Sequence, residues 1–427
     1  MYCGNCFRDN ALVSELRRQG HDALMVPMYL PMTLDEASVL GETPTFFGGI
    51  NVFLSQKIAL HRQAPAWFRR WFDAPRLLKW AAGKAAKTRP EDVGELTVSM
   101  LHGEGGNQHR ELEEMVAWMS RLPRPDVVFL SNALLMGMGR KIRLALGTRV
   151  ICFLQSEESF LDSLPEPYRS EAWRLMAERV GEVDGWIAPT RYFAERMSAR
   201  LGLAPGLVRV AASGILLDGY SNLPTPRAVG TPPVLGFFAR MCPEKGLDTV
   251  VSAFITLSRD GRIPGLRLKV GGGCGSGDIA FVTAQKERLR VAGLEESVSF
   301  HPNVSREEKV AFFGSLDVLS VPARFSEAFG LYLVEAMAAG TPVVQPNVCG
   351  FAEIISSAGG GFVFEGMTAE ALAAALEEVL LNPVRLRALG ETGREGVRVR
   401  YTDSVMAIEV LAATESILSK IGRLHAE

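Results

Sequence analysis

The chain has 427 residues, 47% of them apolar and 22% charged, with a formal net charge of -2. That length exceeds one ordinary core and fits two or three domains. The near-zero charge excludes bulk attraction to nucleic acid, so no nucleic-acid partner is expected and any anion site must be local. No apolar run approaches the roughly 18 residues a membrane span needs. The start, MYCGNCFRDN, has no apolar signal core. Six scattered cysteines do not make a disulfide framework in so large a chain. A cytoplasmic location is the expectation.

Short β-branched runs alternate with longer amphipathic stretches, which predicts an α/β protein with parallel sheets. In chain order the expected strands are ALMVPMY (23–29), DVVFLS (126–131), RVICFLQ (149–155), GWIAPT (185–190), LVRVAAS (207–213), PVLGFFAR (233–240), LRLKVGG (266–272), SVSFHP (297–302), VLSVPA (318–323) and TPVVQP (341–346). These runs are nearly all apolar, as expected for strands covered by helices on both faces. The Pro- and Gly-rich run 221–233 reads as a linker between a domain at 1–220 and a second at 234–400. A last helix from about Thr402 to Gly422, within a segment 401–427, is placed to cross back onto the first domain.

A doubly wound domain opens with a strand and a Gly-containing turn into a helix. Here the turn (Gly4, Asn5) and the helix (Phe7 to Gln19) are present, but Met1 stands where the strand should end. The first strand is apparently missing, which predicts that the natural product starts upstream; an amino-terminal sequence beginning at Met1 would refute this. Cys3 and Cys6 form a lone C-x-x-C at that helix start. Zinc would need two more ligands, so two small packing residues are the expectation over a metal or redox pair.

Between Arg62 and Arg89 the chain carries eight Lys/Arg against one Asp, with Trp67, Phe68, Trp71 and Phe72 at helical spacing. Such a face suits peripheral docking on anionic lipid. Packing of these aromatics on the first domain is the blander alternative and the favoured one. His102 and His109, which flank GEGGNQ in a polar loop, read as surface residues without partners.

The densest chemistry is ARFSEAFGLYLVEAMAAG (323–340). A strand ends near Pro322, a short loop carries Ser326 and Glu327, Gly330 allows close backbone approach, and a helix runs to Gly340. Glu335 lies a little over two turns beyond Glu327, so both can address one ligand from different depths. Alone, this is equally an amphipathic helix with a solvated glutamate. FFARMCPEKGLDTV (237–250) adds Arg240 at a strand end and Lys245 before a helix beginning near Leu247. Two cations at such a junction suit a diphosphate. GGGCGSGD (271–278) is a third Gly-rich strand end, weak by itself and not a Walker loop.

On these segments, with GTPVVQP (340–346) and SGILLDGY (213–220), the chain resembles glycosyltransferase family 4. The resemblance covers nearly the whole chain except the first strand. It implies the GT-B fold, two Rossmann-like doubly wound parallel-sheet domains with a cleft between them. It also implies a retaining, metal-independent enzyme that moves a sugar from a nucleotide-diphosphate sugar to an acceptor hydroxyl. It implies that Arg240 and Lys245 hold the donor diphosphate, Glu335 the ribose, and the backbone of Phe329, Gly330 and Leu331 the phosphates, with Glu327 at the transferred sugar. Gly4 and Asn5 would approach the phosphates from the first domain. The chain has no Asp-x-Asp, and two cations with a helix start can meet leaving-group charge unaided, so no cofactor or metal is expected.

The family's acceptor-side histidine is replaced by Gln155, in CFLQSEESF (152–160), and Ser213 stands where the family often has Asn. Glu157 or Glu158 are the remaining candidates for a base, against the plainer alternative of a solvated loop pair. Other chemistry on this fold (epimerisation, phosphorolysis) and a donor-binding protein without catalysis are the alternatives. A Rossmann dehydrogenase is disfavoured because neither half has its Gly-x-Gly-x-x-Gly turn followed by an acidic residue.

Overall fold

A computed structural model describes residues 4–28, 38–40, 43–47, 90–204, 206–220, 231–325 and 327–424. The basic aromatic run 62–89, most of the linker 221–233, Cys3 and Ser326 lie outside the described residues.

The chain forms two compact units, each around a parallel sheet. One unit is built mainly from Ser38–Ala211 with residues from Glu409 onward. Its sheet has the order β1-β2-β3-β4, from β1 (Val127–Leu130), β2 (Arg149–Phe153), β3 (Gly185–Ala188) and β4 (Val208–Val210). β3 is buried along its whole length, as a strand covered on both faces must be. Ile417 of the last helix, Asp403–Leu424, packs so close to Gly185 that a Cβ there would sit 2.5 Å from it.

The other unit comprises Ala212–Ile408 and the helix Gly4–Arg18 as far as Glu15. Its six strands are β5 (Val234–Phe238), β6 (Arg267–Gly272), β7 (Val298–Pro302), β8 (Val318–Leu319), β9 (Val343–Pro346) and β10 (Gly361–Phe364), in the order β10-β9-β8-β5-β6-β7. From β5 the chain winds outward through β6 and β7, then returns to β8 and winds the other way. Strand order therefore reverses between β5 and β8, and ligands of doubly wound sheets bind beyond the carboxyl ends at that point. The helix Leu247–Asp260 buries Leu247, Val250, Val251, Phe254 and Leu257, the three-to-four spacing of one helical face. Each such side chain contributes about 1.5–3 kcal/mol on burial.

Two expectations need correction and one strand is added. The strand at 23–29 does not form, since residues 21–28 belong to no ladder. Their backbone acceptors are used locally instead: Arg17 Nε donates to Ala23 O at 2.7 Å and Phe47 N to Met28 O at 3.0 Å. β10 was not foreseen. The segment 213–220, expected in the first domain, joins the second unit through Ile215, which bridges Thr402 in parallel and accepts from Asp403 N at 3.0 Å.

Candidate active site

At the carboxyl end of β5 the chain passes Arg240 and closes a short turn, Pro243–Lys245, before the helix Leu247–Asp260. At the carboxyl end of the neighbouring β8 it runs through Arg324 and Glu327 to the helix Leu331–Ala338. These two loops bring Lys245 and Glu327, 82 residues apart in sequence, into a direct Nζ–Oε2 ion pair. Burial opposes the Lys245 cation, but the Glu327 carboxylate outweighs it and raises the ammonium above its usual range. Tyr332 closes the other side, its hydroxyl donating to Glu327 Oε2 at 3.4 Å. Burial first, and the Glu327 charge after it, push that hydroxyl well above its ordinary pKa, so it stays a neutral donor. The Glu327 backbone N–H donates to Cys349 Sγ at 3.3 Å, which ties the loop down from the β9 side.

Arg240 is not part of that pair. Asp278 holds it through three contacts, Nε to both carboxylate oxygens at 3.1 Å and Nη2 to Oδ1 at 2.9 Å. Asp278 is buried while the Arg240 side chain is 65% exposed, so the guanidinium is braced at its base and open outward. The hydrogen bonds to Asp278 also raise its pKa further. Asp278 Oδ2 accepts from Gly275 N at 2.9 Å, so the Gly-rich end of β6 is folded around the same carboxylate.

Gly330 caps the helix Leu331–Ala338 with φ +94°, and no side chain bonds the first-turn N–H groups. The positive φ favours glycine; Leu333 N donates to Gly330 O at 3.0 Å, and the Leu331 and Tyr332 amides ahead of it give this helix start its capacity for an anion. Phe329 is buried against Tyr401 with ring centroids 5.8 Å apart, and Leu331 is half-buried. Glu335, one turn into the helix, meets Lys309 instead of Lys245, with Nζ 2.7 Å from Oε1. Lys309 is buried and its ammonium also lies 5.7 Å from the Phe7 ring. Gly4 opens the helix that carries Phe7, and Asn5 is half-buried in its first turn. The two glutamates expected to share one ligand thus have separate cationic partners.

The alternative of a solvated loop pair for Glu157 and Glu158 is corrected. Glu157 is buried and accepts from Ala133 N at 2.8 Å and from Gln155 N at 2.7 Å. Glu158 is buried too, paired with Arg196 and with Arg200 at 3.0 Å. Glu157 braces the turn at Ser156, which has φ +63°, while Glu158 is tied to the helix Arg191–Leu201. His102 has a carboxylate neighbour after all, Glu171 at 3.7 Å. Cys6 is disulfide-bonded, not a free packing thiol. No group of three or more His, Cys, Asp or Glu able to hold a metal occurs among the described residues. No helix among them is long and apolar enough to cross a membrane.

Sequence reasoning missed Asp278, Lys309 and Tyr332. Lys309 alone carried a usable signal: in the helix Arg306–Gly314 it shares a face with Phe312 and Phe313, both buried.

Residues 224–396 match the family model described as glycosyl transferases group 1. The chain is 26% identical over 284 residues to a GDP-mannose-dependent alpha-(1-6)-phosphatidylinositol monomannoside mannosyltransferase of Mycobacterium tuberculosis, covering 63% of this chain and 70% of the relative. It is 33% identical over 236 residues to a D-inositol 3-phosphate glycosyltransferase of Rhodococcus jostii, covering 53% of this chain and about half (50%) of that one. Among solved structures it is similar to Anabaena Alr3699/HepE in complex with UDP, with TM-score 0.61 at 14% identity over 92% of this chain and 100% of that one. It is likewise similar to a sucrose-phosphate synthase of Thermosynechococcus elongatus, with TM-score 0.59 at 21% identity over 73% and 79%. These likenesses establish the fold as the two-unit α/β arrangement of GT-B proteins.

Proposed function

We propose that the chain is a retaining, metal-independent glycosyltransferase of family 4 that takes a nucleotide-diphosphate sugar as donor. The observation that carries this is the Lys245–Glu327 pair at the β5/β8 switch point, flanked by braced Arg240 and an uncapped helix start. The match of 224–396 to glycosyl transferases group 1 supports the reaction class. Relatives named for GDP-mannose and a fold neighbour bound to UDP-glucose support a nucleotide-sugar donor. They leave the base open.

In this reading the donor diphosphate competes with Glu327 for Lys245. The ammonium turns to the phosphates, Arg240 and the helix amides meet them from two other sides, and leaving-group charge is neutralised as the glycosidic bond breaks. Glu327, released from Lys245, orients the transferred sugar and stabilises positive charge developing at its anomeric carbon. Glu335, fixed by Lys309, accepts from ribose hydroxyls. With neither Glu157 nor Glu158 presented as a base, the departing phosphate is left to deprotonate the acceptor hydroxyl on the same face, which retains configuration. The acceptor is a hydroxyl of a glycan, lipid-linked or small molecule.

The test is incubation with UDP-glucose, GDP-mannose or ADP-glucose in excess EDTA. Nucleoside diphosphate is expected to be released from one of them, with the anomeric configuration kept in the product. The cognate diphosphate should also stabilise the fold by about 2.7 kcal/mol at a hundred times its Kd. No release and no thermal shift with any of the three would refute the proposal. Release that EDTA abolishes would refute metal independence alone.

A further inference from the structure

Lys245 and Glu327 stand on separate loops, so their pairing needs something to set the distance between those loops. Arg324, three residues before Glu327, does this on both backbone and side-chain sides. Its N–H donates to Glu244 O at 2.9 Å, on the residue next to Lys245. Its Nη2 donates to Asp248 Oδ2 at 2.7 Å and to Thr249 Oγ1 at 3.0 Å, in the first turn of the helix after Lys245. The other end of the same turn is sealed against the β8 loop. Gly246 has φ +76°, and a Cβ there would lie 2.3 Å from Pro322 O. The Lys245 turn is therefore held between Pro322 and Arg324, with no room to slide.

We infer that Arg324 is a positioning residue for the donor site, a clip that fixes the Lys245 turn to the Glu327 loop and so presets where the ammonium meets a diphosphate. It touches neither donor nor acceptor; it acts through Lys245. The physical ground is that an ion pair alone leaves two flexible side chains free to take several geometries. A guanidinium bonded to both a carboxylate and a hydroxyl fixes backbone as well as charge. The inference rests on the proposed role of Lys245 at the diphosphate.

The test is a double-mutant cycle on the full chain, read as the Kd of the tightest of UDP, GDP and ADP by calorimetry. Arg324→Ala is expected to weaken binding roughly tenfold in the wild-type background and less than about twofold in the Lys245→Ala background, because coupled residues are non-additive. Arg324→Lys, which keeps the charge but not the planar fork, should fall between. Equal losses in both backgrounds, or no loss in the wild-type background, would overturn the clip. If Arg324→Ala does not fold, Asp248→Asn breaks the same ion pair from the other side and runs the same cycle with the same two outcomes. Lys245→Ala binding as tightly as wild type would instead count against the donor site itself, which separates the two failures.

Discussion

Lys245→Ala lowers kcat/KM for the donor by roughly 10²- to 10³-fold, the loss expected when one charge-stabilising donor leaves a preorganised site. Two effects contribute. In the proposed site the ammonium is the group that exchanges Glu327 for the donor diphosphate, so its removal weakens binding and leaves the departing phosphate under-neutralised. The variant also leaves Glu327, only 15% exposed, without its charged partner. A charged hydrogen bond of this kind contributes about 1.5–3 kcal/mol to stability, so a lower Tm should accompany the kinetic loss. Both are read in one preparation, nucleoside diphosphate release for the first and thermal unfolding for the second. Unchanged kcat/KM would remove Lys245 from the site whatever happens to Tm.

Glu327→Gln is the second large effect and differs in sign on binding. The substitution keeps the side chain's shape and its reach to Tyr332 but removes the carboxylate charge. Turnover should fall about 10²- to 10³-fold, since stabilisation of charge at the transferred sugar is lost. Affinity for the nucleoside diphosphate should hold or tighten. The carboxylate no longer competes for Lys245, and a negative charge beside the phosphates is gone. A kinetic loss matched by an equal loss of diphosphate affinity would show that Glu327 acts only by positioning Lys245, against the role proposed for it.

The pattern of effects tracks what was legible in the sequence. Nine of the expected strands form where the predominantly apolar, β-branched runs lie, because such short runs between amphipathic stretches favour parallel-sheet strands in an α/β chain. ALMVPMY met the same criterion and failed, since a strand also needs a ladder partner, which no local pattern announces. β10 escaped because four residues set among glycines carry too little periodicity to register.

At the site, Arg240, Lys245 and Glu327 were visible from residue type and position at strand ends. What holds them was not. Asp278 reads as a helix-start aspartate following a Gly-rich turn, and its tie to Arg240 spans 38 positions. Lys309, the partner of Glu335, was hinted at by the face it shares with Phe312 and Phe313, but its charged run REEK does not name the carboxylate it meets. Glu157 and Glu158 show the reverse error. Two adjacent glutamates read as an exposed loop pair, yet one accepts backbone N–H groups and the other pairs two arginines. Sequence exposes which side chains can do chemistry, whereas their partners are chosen by tertiary contact.

In the proposed site, Lys245, Arg240 and the start of the helix Leu331–Ala338 receive a diphosphate. A crystal structure of the full chain with UDP or GDP, whichever binds, tests it most directly. Phosphate oxygens are expected within about 3 Å of Lys245 Nζ, an Arg240 guanidinium nitrogen and a first-turn amide. Lys245 is expected to be drawn off Glu327. A diphosphate bound elsewhere, with the Lys245–Glu327 pair intact, would contradict it.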